Sequence, residues 1–209
     1  MVVYTQPNNP SVLTTYGQRY DNKRRLASYW HQVDECRRIG GKSVLVVGIA
    51  TGLSALMLQH AGFDVTTLDI DHQLMPDVTG DVCHIPFPPQ AFDLVVCCQV
   101  LEHMPFEQFN LSLRELYRVA RIGAILSLPD RGAFAKMIPR LIGKKNIMCL
   151  PNLKLKPCRD KDHCWEVNTP GYPIAHIENT IQSVGWHIER TYRVWETPYH
   201  RFWQLRRTA

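Results

Sequence analysis

The 209-residue chain contains no run of about 18 apolar residues, so no transmembrane helix is predicted. Its first residues, with Gln6, Asn8, Asn9 and Pro10, lack the basic-then-apolar layout of a secretory leader, and cytoplasmic residence is the expectation. Seven cysteines (36, 83, 97, 98, 149, 158 and 164) form no even, regular spacing, which argues against a disulfide framework. Cys149, Cys158, His163 and Cys164 are near neighbours in sequence, but they lack the CxxC knuckles of structural zinc, and no metal site is predicted. Internal repeats and low-complexity segments are absent. So is the third glycine of a dinucleotide fingerprint, because Leu53 and the residues after it follow Gly52 without one.

What is present is ordinary in bulk and uneven in detail. Hydrophobic content of 45% and charged content of 21% suit a globular protein, expected here as one α/β domain over 1–209. The net charge of +5 is concentrated: residues 131–161 hold nine basic residues and one acid, Asp160. That local field favours an anionic partner or substrate, the alternative being a solvated basic face.

Periodicity divides the chain. After an arm over 1–17, a helix is expected over 19–39, with Leu26, Tyr29, Trp30, Val33 and Cys36 at three- and four-residue spacing and Gly40-Gly41 as its stop. Strands are expected over 43–48, 64–70, 78–82, 92–100 and 123–128, with helices over 52–61 and 106–119. The crossover over 71–80 is short and contains Pro76. The continuous apolar run of 92–100 suits a central strand buried on both faces, with Cys97 and Cys98 pointing to opposite sides. Residues 129–173 interrupt the alternation as an inserted cap. A helix over 174–184 and strands over 187–195 and 199–206, joined at Thr197-Pro198, close the chain. The predicted fold is therefore doubly wound α/β: a mostly parallel seven-stranded sheet with an antiparallel last strand and an inserted cap.

The stretch Val44-Leu45-Val46-Val47-Gly48-Ile49-Ala50-Thr51-Gly52 reads as a strand, a tight turn and a helix N-terminus, which is a cradle for a nucleotide-type cofactor. Its small residues fall at 48, 50 and 52. At the end of the second strand, in Thr67-Leu68-Asp69-Ile70-Asp71, Asp69 can accept ribose hydroxyls, with Asp71 as its competitor. Gly80-Asp81-Val82, Ile85-Pro86-Phe87, Ala91-Phe92-Asp93-Leu94-Val95-Val96 and Val100-Leu101-Glu102-His103 follow in order. Together these motifs resemble the class I S-adenosylmethionine-dependent methyltransferases of the methyltransferase type 11 group, over residues 42–128. The middle glycine of that family's turn is Ala50 here.

The resemblance implies S-adenosyl-L-methionine as cofactor, bound by Gly48, Ile49, Ala50, Gly52, Asp69, Ile70, Asp81, Val82 and Gln99. Asp81 would accept from the adenine amino group, and Gln99 would end the fourth strand beside the methyl-donating sulfur. Methyl transfer needs positioning and water exclusion more than acid–base help, because the sulfonium is already an excellent leaving group. A general base is needed only where the acceptor must lose a proton, and His103 and His163, with Glu166 nearby, are the candidates. As a helix-start residue or a solvated cap residue, each also has a structural reading.

The acceptor is expected to be a small or carrier-bound molecule of anionic character. Nucleic acid is disfavoured, because Gln99-Val100-Leu101-Glu102 stands where an Asn-Pro-Pro-Tyr type signature would be. The basic amphipathic stretch 132–145 reads as a lid or a packed helix ahead of a membrane contact. Two rival functions are a protein that binds the adenosyl compound without turnover and an NAD-dependent oxidoreductase, the latter opposed by the glycine spacing. Oligomeric state and acceptor identity have no signal in the sequence.

Overall fold

The computed structural model describes Tyr16 and residues 20–133, 135–136, 150–151 and 162–208. Helix α1 (Lys23–Ile39) starts later than the periodicity suggested, because the Asn22 side chain caps it by accepting the Arg24 and Arg25 amides at 3.0 and 3.2 Å. Gly40, in a left-handed conformation at φ 83°, ends it by donating to the Cys36 carbonyl. The buried stripe is Tyr29, Val33, Cys36 and Ile39, while Leu26 and Trp30 face outward. Polar Ser28, Gln32 and Glu35 are buried in their stead, so α1 has a more polar inner face than its apolar spacing implied.

Strand β1 (Ser43–Val47) leads to α2 (Leu53–His60) and β2 (Asp64–Asp69). The crossover that follows is a single 3-10 turn, His72–Leu74, capped by Asp71, before the two-residue β3 (Val78–Thr79). β3 is shorter than the expected 78–82, because Gly80 turns away once its amide meets the Asp69 carbonyl at 2.9 Å. Then come β4 (Phe92–Cys98), α3 (Phe109–Val119) and β5 (Ala120–Pro129). Two residues of the inserted segment, β6 (Ala135–Lys136), pair with β7 (Leu150–Pro151) as a separate antiparallel ladder. The chain closes with α4 (Ile174–Ser183), β8 (Trp186–Arg193) and β9 (His200–Arg207). The rest of the basic stretch 132–145, together with Cys149 and Cys158, lies outside the described residues, as does most of the arm 1–17.

Seven strands form one sheet in the order β3-β2-β1-β4-β5-β9-β8. The first five are parallel, and β9 runs antiparallel to both of its neighbours, β5 and β8. The expected antiparallel last strand is thus present and sits inside the sheet, with β8 at the edge. Alternation sorts the side chains into two layers. Val44 and Val46 of β1, with Leu94 and Val96 of β4, pack on Val33 and Cys36 of α1 and on Ala55 and Leu58 of α2. Leu45, Val47, Val95 and Cys97 point the other way, towards Phe109, Leu113 and Leu116 of α3 and Ile177 and Ile181 of α4. Cys97 and Cys98 do point to opposite faces, and Cys36, Cys83, Cys97, Cys98 and Cys164 are free thiols. Among the described residues, no helix is long and apolar enough to cross a membrane.

Parallel sheets bind ligands beyond the carboxyl ends of their strands, where the strand order reverses. Here that point lies between β1 and β4. At the opposite end the same two strands are fastened by Asp93, which accepts the Lys42 and Ser43 amides at 2.7 and 3.1 Å and pairs with Arg121. Burial alone would raise the Asp93 carboxyl, but these donors outweigh it and hold it below the ordinary carboxylate range. Such a group stabilises the fold fully above its unfolded pKa of about 3.9, and that contribution is lost as pH falls through the lower folded value. Asp93→Asn is therefore expected to cost about 1–3 kcal/mol at pH 7, and its urea-unfolding curve should converge with wild type below about pH 3.9. A deficit that stayed constant at low pH would remove the charge from the explanation.

Backbone strain generates a second prediction. Gly48 and Ala50 both sit in the left-handed region, at φ 79° and 48°. A Cβ on Gly48 would run into the Val100 side chain, whereas Ala50 already carries its Cβ there. Ala50→Gly should raise stability by up to about 1 kcal/mol, the left-handed cost less the added chain entropy. Gly48→Ala should lower it by more than about 1–2 kcal/mol. Thermal melts of the two variants shifting in the same direction would contradict this account of the turn.

Candidate functional site

The turn after β1 is left-handed at every second residue: Gly48 at φ 79°, Ala50 at 48° and Gly52 at 79°. This folds the chain back sharply and aims the turn at the end of β2. The Ile49 amide donates to Asp69 Oδ2 at 2.8 Å, and Asp69 Oδ1 accepts the Asp71 amide at 3.0 Å. An ionised carboxylate has about four acceptor positions. Two are engaged in holding the turn to the strand end, so Asp69 can take further donors without releasing the backbone.

Gly48, Ile49, Ala50, Asp69, Ile70, Asp81, Val82 and Gln99 all line one cavity of ≈ 780 Å³. Gly52 stands behind it as the left-handed N-cap of α2. Ile70 projects into the open with 72% of its surface exposed, an apolar side chain waiting for a cover. Asp81 stays exposed and uses Oδ1 to accept the Cys83 amide at 2.8 Å, which shapes the loop that carries Val82. That loop is braced from α3: Glu115 accepts the Ile85 amide at 2.9 Å, and Arg118 donates to the Ile85 and Phe87 carbonyls at 2.8 and 2.7 Å. Gln99 is left-handed at φ 58°, with its amide on the Ser127 carbonyl and its side-chain nitrogen on Ser127 Oγ at 3.2 Å.

His103 and His163, sixty residues apart in sequence, also line this cavity, with ring centroids 4.8 Å apart. The later part of the inserted cap is locked onto the 3-10 turn Leu101–His103. The Cys164 amide donates to the Glu102 carbonyl at 2.8 Å, and the Trp165 indole donates to the Met104 carbonyl at 3.1 Å. Trp165 is buried against Phe106, Phe109 and Tyr172. The His163 ring meets Glu166 through Nδ1 at 2.8 Å, and Glu166 also receives Arg131 and the Tyr199 hydroxyl. Burial pushes the Glu166 carboxyl up, but His163, Tyr199 and Arg131 together bring it below its ordinary value. Burial and the Glu166 charge raise the Tyr199 phenol, so it stays protonated and donates.

Glu102 is the opposite case. It is fully buried, and among the described residues neither carboxylate oxygen has a hydrogen-bond partner. Burial raises its carboxyl to about 8. With His103 and His163 it forms the group of side chains here that could hold a metal ion.

Sequence reasoning did not single out several other lining residues. Tyr16 packs on Ile49 and Leu74, Tyr20 accepts from Arg25 at 2.9 Å, and Arg25 is the one lysine or arginine among the described lining residues. His200 is buried with Nδ1 2.9 Å from Ser28 Oγ, and burial, reinforced by the Arg25 charge, lowers its imidazole to about 3. It is a neutral ring at neutral pH. Arg25 is the third of three consecutive basic residues, Lys23-Arg24-Arg25, in the first turn, and its spacing does not single it out. The others reach the cavity through contacts that no short spacing encodes.

Residues 45–128 match the family described as methyltransferase domain. A probable S-adenosylmethionine-dependent methyltransferase of Mycolicibacterium smegmatis is 28% identical over 149 residues, 62% of this chain and 57% of that protein. The chain spans little more than half the length of the curated relatives it matches. Magnesium protoporphyrin IX methyltransferase from Synechocystis PCC 6803, solved with bound SAH, superposes with a TM-score of 0.65 at 16% identity over 96% of each chain. The N-methyltransferase NodS from Bradyrhizobium japonicum WM9, in complex with S-adenosyl-L-homocysteine, gives 0.66 at 11% identity over 95% of each. At such identities the likeness is one of fold. The matched domain covers strands and the turn that form this crevice, and over those residues the chain is similar to S-adenosylmethionine-dependent methyltransferases.

Proposed function

We propose that the protein transfers a methyl group from S-adenosyl-L-methionine to a small or carrier-bound acceptor held in the same cavity. The observation that carries this reading is the convergence of the left-handed turn, Asp69 and Asp81 on one space of ≈ 780 Å³. In it, Asp69 accepts the ribose hydroxyls with the oxygen positions that the Ile49 and Asp71 amides leave open. Asp81 accepts from the adenine amino group, and Val82 and exposed Ile70 supply apolar surface for the ring. Gln99, fixed by Ser127, stands at the reacting end. Arg25 is the cation available to an anionic group, either the methionine carboxylate of the cofactor or the acceptor itself.

The chemistry is displacement at carbon. An acceptor lone pair forms the new bond to the methyl carbon while the carbon–sulfur pair returns to sulfur, giving S-adenosylhomocysteine. The protein's contribution is alignment and exclusion of water. Where the acceptor carries a proton, its activation falls to Glu102, His103 and His163, which line the same cavity.

Calorimetric titration tests the reading. S-adenosylmethionine and S-adenosylhomocysteine should bind in the micromolar range and NAD should not. Asp69→Ala and Asp81→Ala should each weaken the adenosyl compounds by about tenfold or more, as loss of a hydrogen bond to a charged group implies. Preference for NAD, or no adenosyl binding, would sink the assignment. Adenosyl binding without methyl release in the presence of a broad acceptor panel would favour the non-catalytic alternative.

A further inference from the structure

We propose that Glu102, His103 and His163 bind one divalent first-row transition metal ion inside the cavity, and that this ion activates an oxygen acceptor for methylation. The second half of the inference rests on the methyltransferase reading above; the first half stands on geometry alone.

The donor set comes first. One ligand-capable atom from each of the three side chains lies within 4.8 Å of the other two, a spread that a single ion at ordinary metal–ligand distances of about 2.0–2.2 Å can bridge with small side-chain adjustments. Two imidazoles and one carboxylate are ligands of the zinc, iron and manganese class, not the all-oxygen set of magnesium or calcium. Three protein ligands also leave positions open for an exchangeable molecule, as catalytic sites require.

The surroundings add an independent argument. Glu102 has no exposed surface and no hydrogen-bond partner for either carboxylate oxygen among the described residues. A buried carboxylate left so is costly, and such groups are ordinarily paired or bound to metal. Each histidine has an acceptor at Nδ1, as imidazole metal ligands commonly do. His103 Nδ1 lies 2.8 Å from the Asp162 carbonyl, which can only accept, so Nδ1 carries the proton and Nε2 the lone pair. His163 Nδ1 lies 2.8 Å from Glu166, and the same tautomer follows. A carboxylate or carbonyl behind each ring is the outer layer that fixes ligand orientation in metal sites. Glu166 is itself held by Arg131 and Tyr199, so this layer is rigid.

The consequence for chemistry is specific. An ion at this position binds the acceptor's hydroxyl oxygen and lowers its pKa, so the proton leaves to solvent before attack. The oxygen pair then forms the carbon–oxygen bond and the carbon–sulfur pair returns to sulfur. The acceptor class is thus an alcohol or phenol.

Cobalt(II) is the probe, because its visible spectrum reports nitrogen and oxygen ligation and would expose any thiolate ligation by Cys149, Cys158 or Cys164 as a near-ultraviolet charge-transfer band. Titration of chelator-stripped full-length protein should show one equivalent bound without that band. Glu102→Gln and His163→Asn should each weaken binding by more than about tenfold, and Glu166→Gln, which would meet the ion through His163, by about 10–100-fold. Thermal melts of each variant establish that it is folded, and the substitutions, placed on two segments, guard against one failing to fold. Absence of stoichiometric cobalt binding, binding through thiolates, or unchanged affinity in folded Glu102→Gln would each overturn the site. S-adenosylhomocysteine titration of the same samples separates the two claims: cobalt binding without adenosyl binding upholds the metal site and removes the methyltransferase reading. The reverse result does the opposite.

Discussion

The hydrogen bond from the Ile49 amide to Asp69 Oδ2 joins the two strand ends on which the cavity is built. β1 and β2 run in parallel register to Val47 and Leu68, and beyond that pair the ladder has nothing to hold the chains together. The Gly48 amide reaches back to the Leu68 carbonyl, and the next amide is taken by a side chain. That replacement frees the turn to leave the sheet plane while keeping its amide satisfied, as a buried backbone donor must be. It also explains why an acid belongs at 69. A neutral apolar residue there would leave Ile49 without an acceptor and would let the turn relax towards β2, closing the space that a nucleoside needs. One carboxylate thus fixes the turn and, under the proposed function, meets the ligand as well.

The other end of the cavity is organised by two buried glutamates with opposite fates. Glu166 collects His163, Tyr199 and Arg131, donors from the later part of the cap, from the approach to β9 and from just beyond the end of β5. Its negative charge is what makes these three segments converge. Glu102, fully buried next to this cluster, receives none of those donors. The difference is instructive, because the same protein shows how a buried acid is satisfied and then declines to do so a few ångströms away.

Much of the sheet was legible in the sequence because the strands are short apolar runs bounded by glycines and acids, and parallel topology follows from their alternation with helices. That Gly48, Asp69 and Asp81 meet at one crevice was legible because each stands in a motif of fixed spacing. The limits of α1 were less so: its stripe of Leu26, Tyr29, Trp30, Val33 and Cys36 matched the helical period, yet only three of those five are buried. Periodicity cannot say how wide a buried stripe is when polar Ser28, Gln32 and Glu35 find room beneath it. The meeting of His103 with His163 was beyond reach for a different reason. Each was a plausible base on its own, but their contact depends on backbone bonds from Cys164 and Trp165 to the 101–104 turn, and no spacing rule spans sixty residues. Tyr16, Arg25 and His200 join the cavity in the same long-range way.

Some of the positions that work against stability line the cavity, while left-handed Met75, Gln90 and Asn168 lie away from it. Ala50 and Gln99 hold left-handed backbone without being glycine, and both line the cavity, as does the unpaired carboxylate of Glu102. Features of this kind cost of order 1–3 kcal/mol each and persist only when the surrounding structure over-determines them. Here the determinants are identifiable: Asp69 fixes the turn that contains Ala50, Ser127 fixes Gln99 from the neighbouring strand, and the Cys164 amide fixes the turn that carries Glu102. Each is anchored by a bond to a different strand or segment, so relaxing one would not relieve the others. A cavity assembled from independently clamped, locally unfavourable residues is pre-organised, and its missing stabilisation is available only to whatever ligand completes it.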